Sequence, residues 1–467
     1  MKRREALQLI PLSLAGMTGL SQNALSGGMP QKHPVVGLKG PLSMRYMKKI
    51  CNMLQWVRDT QSENMLEASY AIARTIQKGG RCWRSWDMGH SGTQDVFPGR
   101  NGNPDMFTEG FDPKKAKNGD VFLACSRWGG PYEELSKKDI LIIGMPVPWG
   151  GDAKGQEFVV DSMLQQKIRP HADIWIESTI TTHGAIMKVP GIEAPFGPAS
   201  GTVGLLIYWM IVADACRILA RDGKSMPVEG DEPKLSGNSI PWINLHEPIM
   251  DNYFEVVMNQ LDMVKGEMGN IRQIAAMAAD TALSGGKVWC YSRYWESLAM
   301  ESHGRRGGLY MTRGVHDQDG KLKTVADSDK LGSSKDMVIM GIWEPADEID
   351  LKHLDTFRKY GMKIASIGPM TCDIKVPDGR TVPKEADVHA GRMCDTYGLY
   401  AVPGFDRKVC PTSGILMLQM FWATCMEIAD ELIRRTGNPP AILLSGAIKD
   451  GRRHNKFMLN RYLERGY

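Results

Sequence analysis

The chain repeats itself, and that repeat restricts its architecture more than any other feature. Tyr46–Trp83 reads YMKKICNMLQWVRDTQSENMLEASYAIARTIQKGGRCW, and Tyr253–Trp289 reads YFEVVMNQLDMVKGEMGNIRQIAAMAADTALSGGKVW. Tyr46 pairs with Tyr253, Leu54 with Leu261 and Val57 with Val264 at an offset of 207 (253 − 46). Asn64 pairs with Asn270, Gly80 with Gly286 and Trp83 with Trp289 at 206 (289 − 83), so one deletion reconciles the registers. Apolar residues at three-to-four spacing predict two helices in each segment. A Gly-Gly stop then suits a left-handed cap, and an apolar strand begins.

The agreement resumes downstream. Asp139–Gly144 (DILIIG) matches Asp336–Gly341 (DMVIMG) as a short apolar run of the kind buried on both faces of a parallel sheet. Helical stretches follow at Glu157–Lys167 and Leu351–Tyr360, then Ala172-Asp173 and Ala386-Asp387 open further strands. Val189-Pro190-Gly191 matches Val402-Pro403-Gly404, and Pro198-Ala199-Ser200-Gly201 matches Pro411-Thr412-Ser413-Gly414. Each last motif opens a long apolar helix, Thr202–Ala220 and Ile415–Arg435. Alternating strands and helices predict an α/β protein with a doubly wound parallel sheet in each half. The expected bounds are a first domain at 40–226, a Pro-, Gly-, Ser- and Asp-rich linker at 227–250 and a second domain at 251–467.

Composition narrows the partners. The 57 Lys and Arg against 53 Asp and Glu leave a net charge of +4 without long basic runs, which gives no electrostatic case for nucleic acid. The nine cysteines include no Cys-x-x-Cys pair, so buried free thiols are expected and a structural zinc site is not. The best apolar run, Val203–Val212, meets Asp214 after about ten residues and suits a core helix, not a membrane span. At the N-terminus, Lys2, Arg3 and Arg4 precede an apolar stretch from Leu7 to Leu20. That is signal-peptide anatomy over residues 1–30, and the paired arginines resemble a twin-arginine signal. Export to the periplasm is the expectation, with a cytoplasmic leader as the alternative.

Several segments resemble the SIS (sugar isomerase) phosphosugar-binding family. They are Gly285–Trp289 with Ala299-Met300-Glu301 and Arg306–Leu309, the Gly89-His90-Ser91 loop, the Pro-x-Ser-Gly helix entries and the ending Asn438–Asn455. The resemblance runs from about Met44 to the C-terminus in two copies. It implies two tandem three-layer αβα sandwiches, each with a mostly five-stranded, parallel, flavodoxin-like sheet. It also implies a sugar or sugar-derivative ligand, with sites between SIS domains.

Helix N-termini and backbone N–H groups at strand-to-helix turns favour anions. In the first half the candidate ligand contacts are Gly89, His90, Ser91, Thr93, Gly150, Gly151, Ser200 and Thr202; Ser200 is equally suited to plain N-capping. The second half offers Ser292, Arg293, Ser297 and Ser413, but its loops Ser292–Ser297 and Trp343–Glu348 replace glycines with acids and aromatics. Carboxylates there oppose a phosphate, which together with the leader favours an unphosphorylated ligand. Isomerisation needs a base to move a proton between carbons and an acid for ring opening. Glu301, at a position where the family often carries Glu, is the candidate base, with His183 and His454 as further catalytic candidates. No cofactor or metal is expected. The function expected is isomerase-type proton transfer on a sugar, against a non-catalytic sugar-binding protein or a cytoplasmic phosphosugar enzyme; homo-oligomers fit either.

Overall fold

The computed structural model describes residues 41–467 except 86–95, 97–99, 109–110, 125–131, 146–167, 179, 181–183, 190, 193, 229–234, 236–242, 294–297, 327–328, 371–378, 392–396 and 445–450. The leader at 1–30 and the helix expected at Glu157–Lys167 therefore lie outside the described residues.

Helix α1 (Leu42–Gln77) leads into strands β1 (Cys82–Arg84), β2 (Phe107–Thr108) and β3 (Val121–Ala124), then α2 (Tyr132–Lys137), β4 (Leu141–Gly144) and β5 (Ile174–Trp175). These five strands form a parallel sheet in the order β2-β1-β3-β4-β5. This is the flavodoxin-like order. A small antiparallel pair, β6 (Ala185–Met187) and β7 (Phe196–Pro198), precedes α3 (Ser200–Arg221).

The second half begins with α4 (Met250–Met263), a 3-10 turn at Val264–Glu267 and α5 (Met268–Leu283). Then come β8 (Val288–Ser292), α6 (Met300–Ser302), the hairpin β9 (Thr312–Gln318) and β10 (Lys321–Thr324), β11 (Met337–Gly341), α7 (Glu348–Lys359), β12 (Lys363–Ile367), α8 (Val382–Glu385) and β13 (Val388–Ala390). The chain ends with α9 (Ser413–Thr436) and α10 (Gly451–Arg465). The second sheet has the order β10-β9-β8-β11-β12-β13. Without the antiparallel edge strand β10 its order matches the first sheet.

Two expectations need correction. The segment from Tyr46 forms one continuous helix, not two, because no Gly or Pro interrupts Leu42–Gln77. In the second half Gly266 lies within a 3-10 turn at Val264–Glu267, a tighter winding that absorbs the missing residue. The match of Asp139 with Asp336 is also displaced by one strand. Asp336 accepts from Trp289 Nε1 at 3.0 Å and from the Lys287 amide at 2.9 Å. Asp120 does the same for Trp83 Nε1 at 2.8 Å and the Arg81 amide at 2.9 Å. The short apolar run after each aspartate is similar in every strand of such a sheet, so pattern alone slipped from β3 to β4.

Each sheet alternates its side chains between two cores. Val121 and Leu123 face a central core, while Phe122 and Ala124 face an outer cluster with Tyr132 and Leu135 of α2. Met337 and Ile339 likewise face the centre, and Val338 and Met340 face Leu351, Leu354 and Phe357 of α7. The central core is filled by α1, α3, α5 and α9. Helix α3 is long and apolar enough to cross a membrane by composition, but 94% of its most apolar window is buried inside the protein.

Two acids tie the halves together at helix starts. Asp214 on α3 accepts from the amides of Ile249 (3.3 Å) and Met250 (3.0 Å), where α4 begins. Glu427 on α9 accepts from the Ser43 amide at 3.2 Å and from its hydroxyl, where α1 begins. Both satisfy orphan N–H groups and place negative charge at a helix N-terminus.

Candidate functional site

The segment between β8 and β9 carries a buried carboxyl. Ser292 Oγ accepts from the Ala299 amide at 2.9 Å, and Thr312 Oγ1 donates to the Ser302 carbonyl at 2.7 Å. These bonds fix the short helix α6, and Glu301 projects from it into the core at 5% exposure. Arg305 Nε lies 3.3 Å from Glu301 Oε2. Trp422 Nε1, from α9, donates to Glu301 Oε1 at 3.2 Å. Burial pushes the Glu301 carboxyl above the ordinary glutamate range, opposed by the Arg305 charge and the Trp422 hydrogen bond. Burial correspondingly lowers Arg305.

Arg305 also reaches the other half. Its Nη2 donates to Ser200 Oγ at 2.8 Å, at the start of α3. The backbone permits this approach because Gly304 and Gly307 adopt positive φ, and a Cβ on Gly307 would lie 2.3 Å from the Ala185 Cβ. The Gly307 carbonyl accepts from the Gly197 amide at 2.9 Å. Tyr46 closes the cluster, its hydroxyl donating to the Pro198 carbonyl.

The same construction stands at the start of α9. Arg100 Nη2 donates to Ser413 Oγ at 2.5 Å. The Gly102 carbonyl accepts from the Cys410 amide at 3.0 Å, and Tyr253 donates to the Pro411 carbonyl at 2.8 Å. Cys410 takes the positive φ of 64° where Gly197 has 79°. The chemistry differs, however. The place of Glu301 is taken by buried Val96, and the Arg100 guanidinium lies 4.4 Å from the Trp343 ring centroid. Sequence reasoning missed both arginines. The signal was present, since Gly99-Arg100-Asn101-Gly102 recurs as Gly304-Arg305-Arg306-Gly307 at an offset of 205 (305 − 100).

Of the expected site residues, the structure brings Glu301 and Ser200 together through Arg305. Ser200 and Ser413 lack the side-chain bonds of an N-cap and instead accept from arginines of the opposite half. Thr202 Oγ1 is buried with no hydrogen-bond partner. Arg293, expected to meet an anion, forms an ion pair with Asp347, which also caps α7. His454 gives its Nε2 to the Ile442 carbonyl at 2.9 Å and so braces the segment that pairs with Leu309. Gly89, His90, Ser91, Thr93, Gly150, Gly151, His183 and Ser297 lie outside the described residues. The six described cysteines are free, five of them buried, as the sequence predicts. No group of three metal-ligating side chains occurs among the described residues.

No family model matches the chain. A UPF0309 protein of Geobacillus sp. (strain WCH70) is 25% identical over 224 residues, covering 42% of this chain and 88% of that protein. Similar solved structures include the C-terminal domain of glucosamine-fructose-6-phosphate aminotransferase from Francisella tularensis, at 12% identity and a TM-score of 0.40, covering 87% of this chain and 99% of that one. Glucosamine-6-phosphate deaminase from Thermotoga maritima aligns at 9% identity and a TM-score of 0.36, covering 87% and 99%.

Proposed function

We propose that the chain acts on a sugar or sugar derivative by isomerisation or a related proton transfer, as two SIS-like domains that share one site. The first domain spans 40–226, the second 251–467, and 227–250 joins them. The observation that carries this reading is the Glu301–Arg305–Ser200 chain. It brings a buried carboxyl of one half to the N-terminus of the long helix of the other, where the resemblance places the ligand. A carboxyl whose proton affinity is raised by burial is suited to take and return a carbon-bound proton near neutral pH. Arg305 and the start of α3 favour the negative charge that develops on an enediolate oxygen. The leader is read as an export signal, which favours an unphosphorylated ligand in the periplasm.

A second reading, a non-catalytic sugar-binding protein, is favoured by the engagement of both Glu301 oxygens within the protein. Two measurements decide. A thermal-shift screen of sugars with and without phosphate identifies the ligand class, because a ligand that binds the native state raises its melting temperature. Stabilisation by phosphosugars alone rules out the unphosphorylated ligand. With a ligand found, Glu301→Gln lowers turnover by roughly 100-fold or more if Glu301 is the base. Intact turnover removes Glu301 from the mechanism, and binding without any turnover supports the second reading.

A further inference from the structure

The two halves place a tryptophan at the same point of their long central helices. Trp209 on α3 and Trp422 on α9 are separated by 213 residues (422 − 209), the spacing that also relates Ser200 to Ser413. Both are buried. Each meets the preceding aromatic edge to face, Tyr208 with Trp209 and Phe421 with Trp422, at 4.9 Å in both cases. Packing therefore accounts for the tryptophan in either half. What differs is the acid. The second half has Glu301 where the first has Val96 (301 − 96 = 205), and Trp422 Nε1 donates to Glu301 Oε1.

We propose that Trp422 is a positioning residue for proton transfer at Glu301, a role that Trp209 does not share. The inference rests on the functional reading above. The carboxyl is clamped from two sides, by the Trp422 N–H on Oε1 and by Arg305 on Oε2, so its plane cannot rotate without losing a bond. The indole edge packs close against the Gly308 backbone, where an added Cβ would stand 3.1 Å from its Cη2. Four other groups face this carboxyl or its partner: Arg305 from the same segment, Tyr46 from α1, Cys425 from α9 and Ser200 through Arg305. Trp422 is the neutral donor among those touching the carboxyl directly. It stabilises the charged form without adding a charge, and so tunes proton affinity while fixing the angle of attack.

The test reads the carboxyl directly and needs no turnover. The protonated carboxyl stretch of the full-length protein is followed by infrared titration and assigned as the band lost in Glu301→Gln. Trp422→Phe keeps the aromatic packing and removes the N–H. The titration midpoint of Glu301 then rises by roughly one pH unit. Trp209→Phe leaves it where it was. An unmoved midpoint in Trp422→Phe, or an equal rise in Trp209→Phe, overturns the proposal. Should Trp422→Phe fail to fold, 5-fluorotryptophan labelling replaces it. The fluorine resonance of Trp422 follows the Glu301 titration and loses that dependence in Glu301→Gln, and a resonance insensitive to pH overturns the proposal. A failure to find any sugar turnover counts against the functional reading and leaves these midpoints measurable, so the two failures are told apart.

Discussion

Arg305 and Ser200 stand 105 residues apart in sequence and meet at 2.8 Å, and the same arginine forms an ion pair with Glu301. Breaking a buried pair by removing one partner leaves an uncompensated charge and typically costs about 3–5 kcal/mol. Arg305→Ala is therefore expected to destabilise the chain by about 3 kcal/mol in urea unfolding at neutral pH. Glu301→Gln in the same background recovers part of the loss, because a neutral amide needs no counter-charge. Strictly additive effects of the two substitutions show that the ion pair does not hold this junction.

Gly102 makes the matching contact at the other junction. A Cβ there would lie 2.3 Å from the Tyr397 carbonyl oxygen, in a backbone with φ of 76°. Gly79 has nearly the same φ, 75°, with nothing within 4 Å of its Cβ position. The pair separates strain from collision. Gly79→Ala costs about 1 kcal/mol for the left-handed backbone alone. Gly102→Ala costs clearly more, since a carbonyl must also move. Equal unfolding free energies for the two variants refute close contact between Gly102 and Tyr397.

Asp214 has three partners: the Ile249 and Met250 amides and Arg217 Nε at 2.5 Å. Burial raises its carboxyl, and the Arg217 hydrogen bond and charge oppose that rise. Asp214→Ala strands a buried guanidinium and uncaps α4, so a loss of about 3 kcal/mol or more is expected. Glu427→Ala removes the equivalent bond at the start of α1, but its Arg272 partner is more than half exposed and remains solvated. Its cost is about 1 kcal/mol. The reverse order in urea unfolding contradicts this reading.

The fold was legible because the repeat carries its own register. Trp83 and Trp289 occupy matched strand positions, and the long apolar helices announce themselves by period and by the Pro-x-Ser-Gly entries. The site was only half legible. Glu301 came from family resemblance, and Ser200 from its place at a helix start. Neither locates the other, because their link is a side chain that crosses between halves. Arg305 lies among ordinary surface-type residues in sequence, and only the glycines around it hint at a close approach. Trp422 looks like core from pattern alone, and it is core; its hydrogen bond to an acid 121 residues away leaves no periodic trace.

His389 offers a pH signature that the pattern of the sequence does not suggest. It lies on β13 with Nδ1 2.7 Å from Ser366 Oγ, while its Nε2 is buried with no hydrogen-bond partner. In the first half the same place is filled by Trp175, whose ring lies 2.6 Å from where a Cβ on Gly144 would stand. Burial lowers His389 from 6.5 to about 4, with Glu267 opposing the shift. The sign follows from linkage. The unfolded chain takes up a proton near pH 6.5 and the folded chain resists it until about pH 4. Stability from this residue is therefore complete above pH 6.5 and is lost as pH falls toward 4, amounting to about 2 kcal/mol by pH 5. His389→Asn retains a group able to bond Ser366 but cannot titrate. Urea unfolding at pH 7 and pH 5 should show the wild type losing about 2 kcal/mol more than the variant. Equal losses mean that His389 is protonated as readily in the folded chain as in the unfolded one, and that its neutral, half-satisfied ring is not part of what holds β13 to β12.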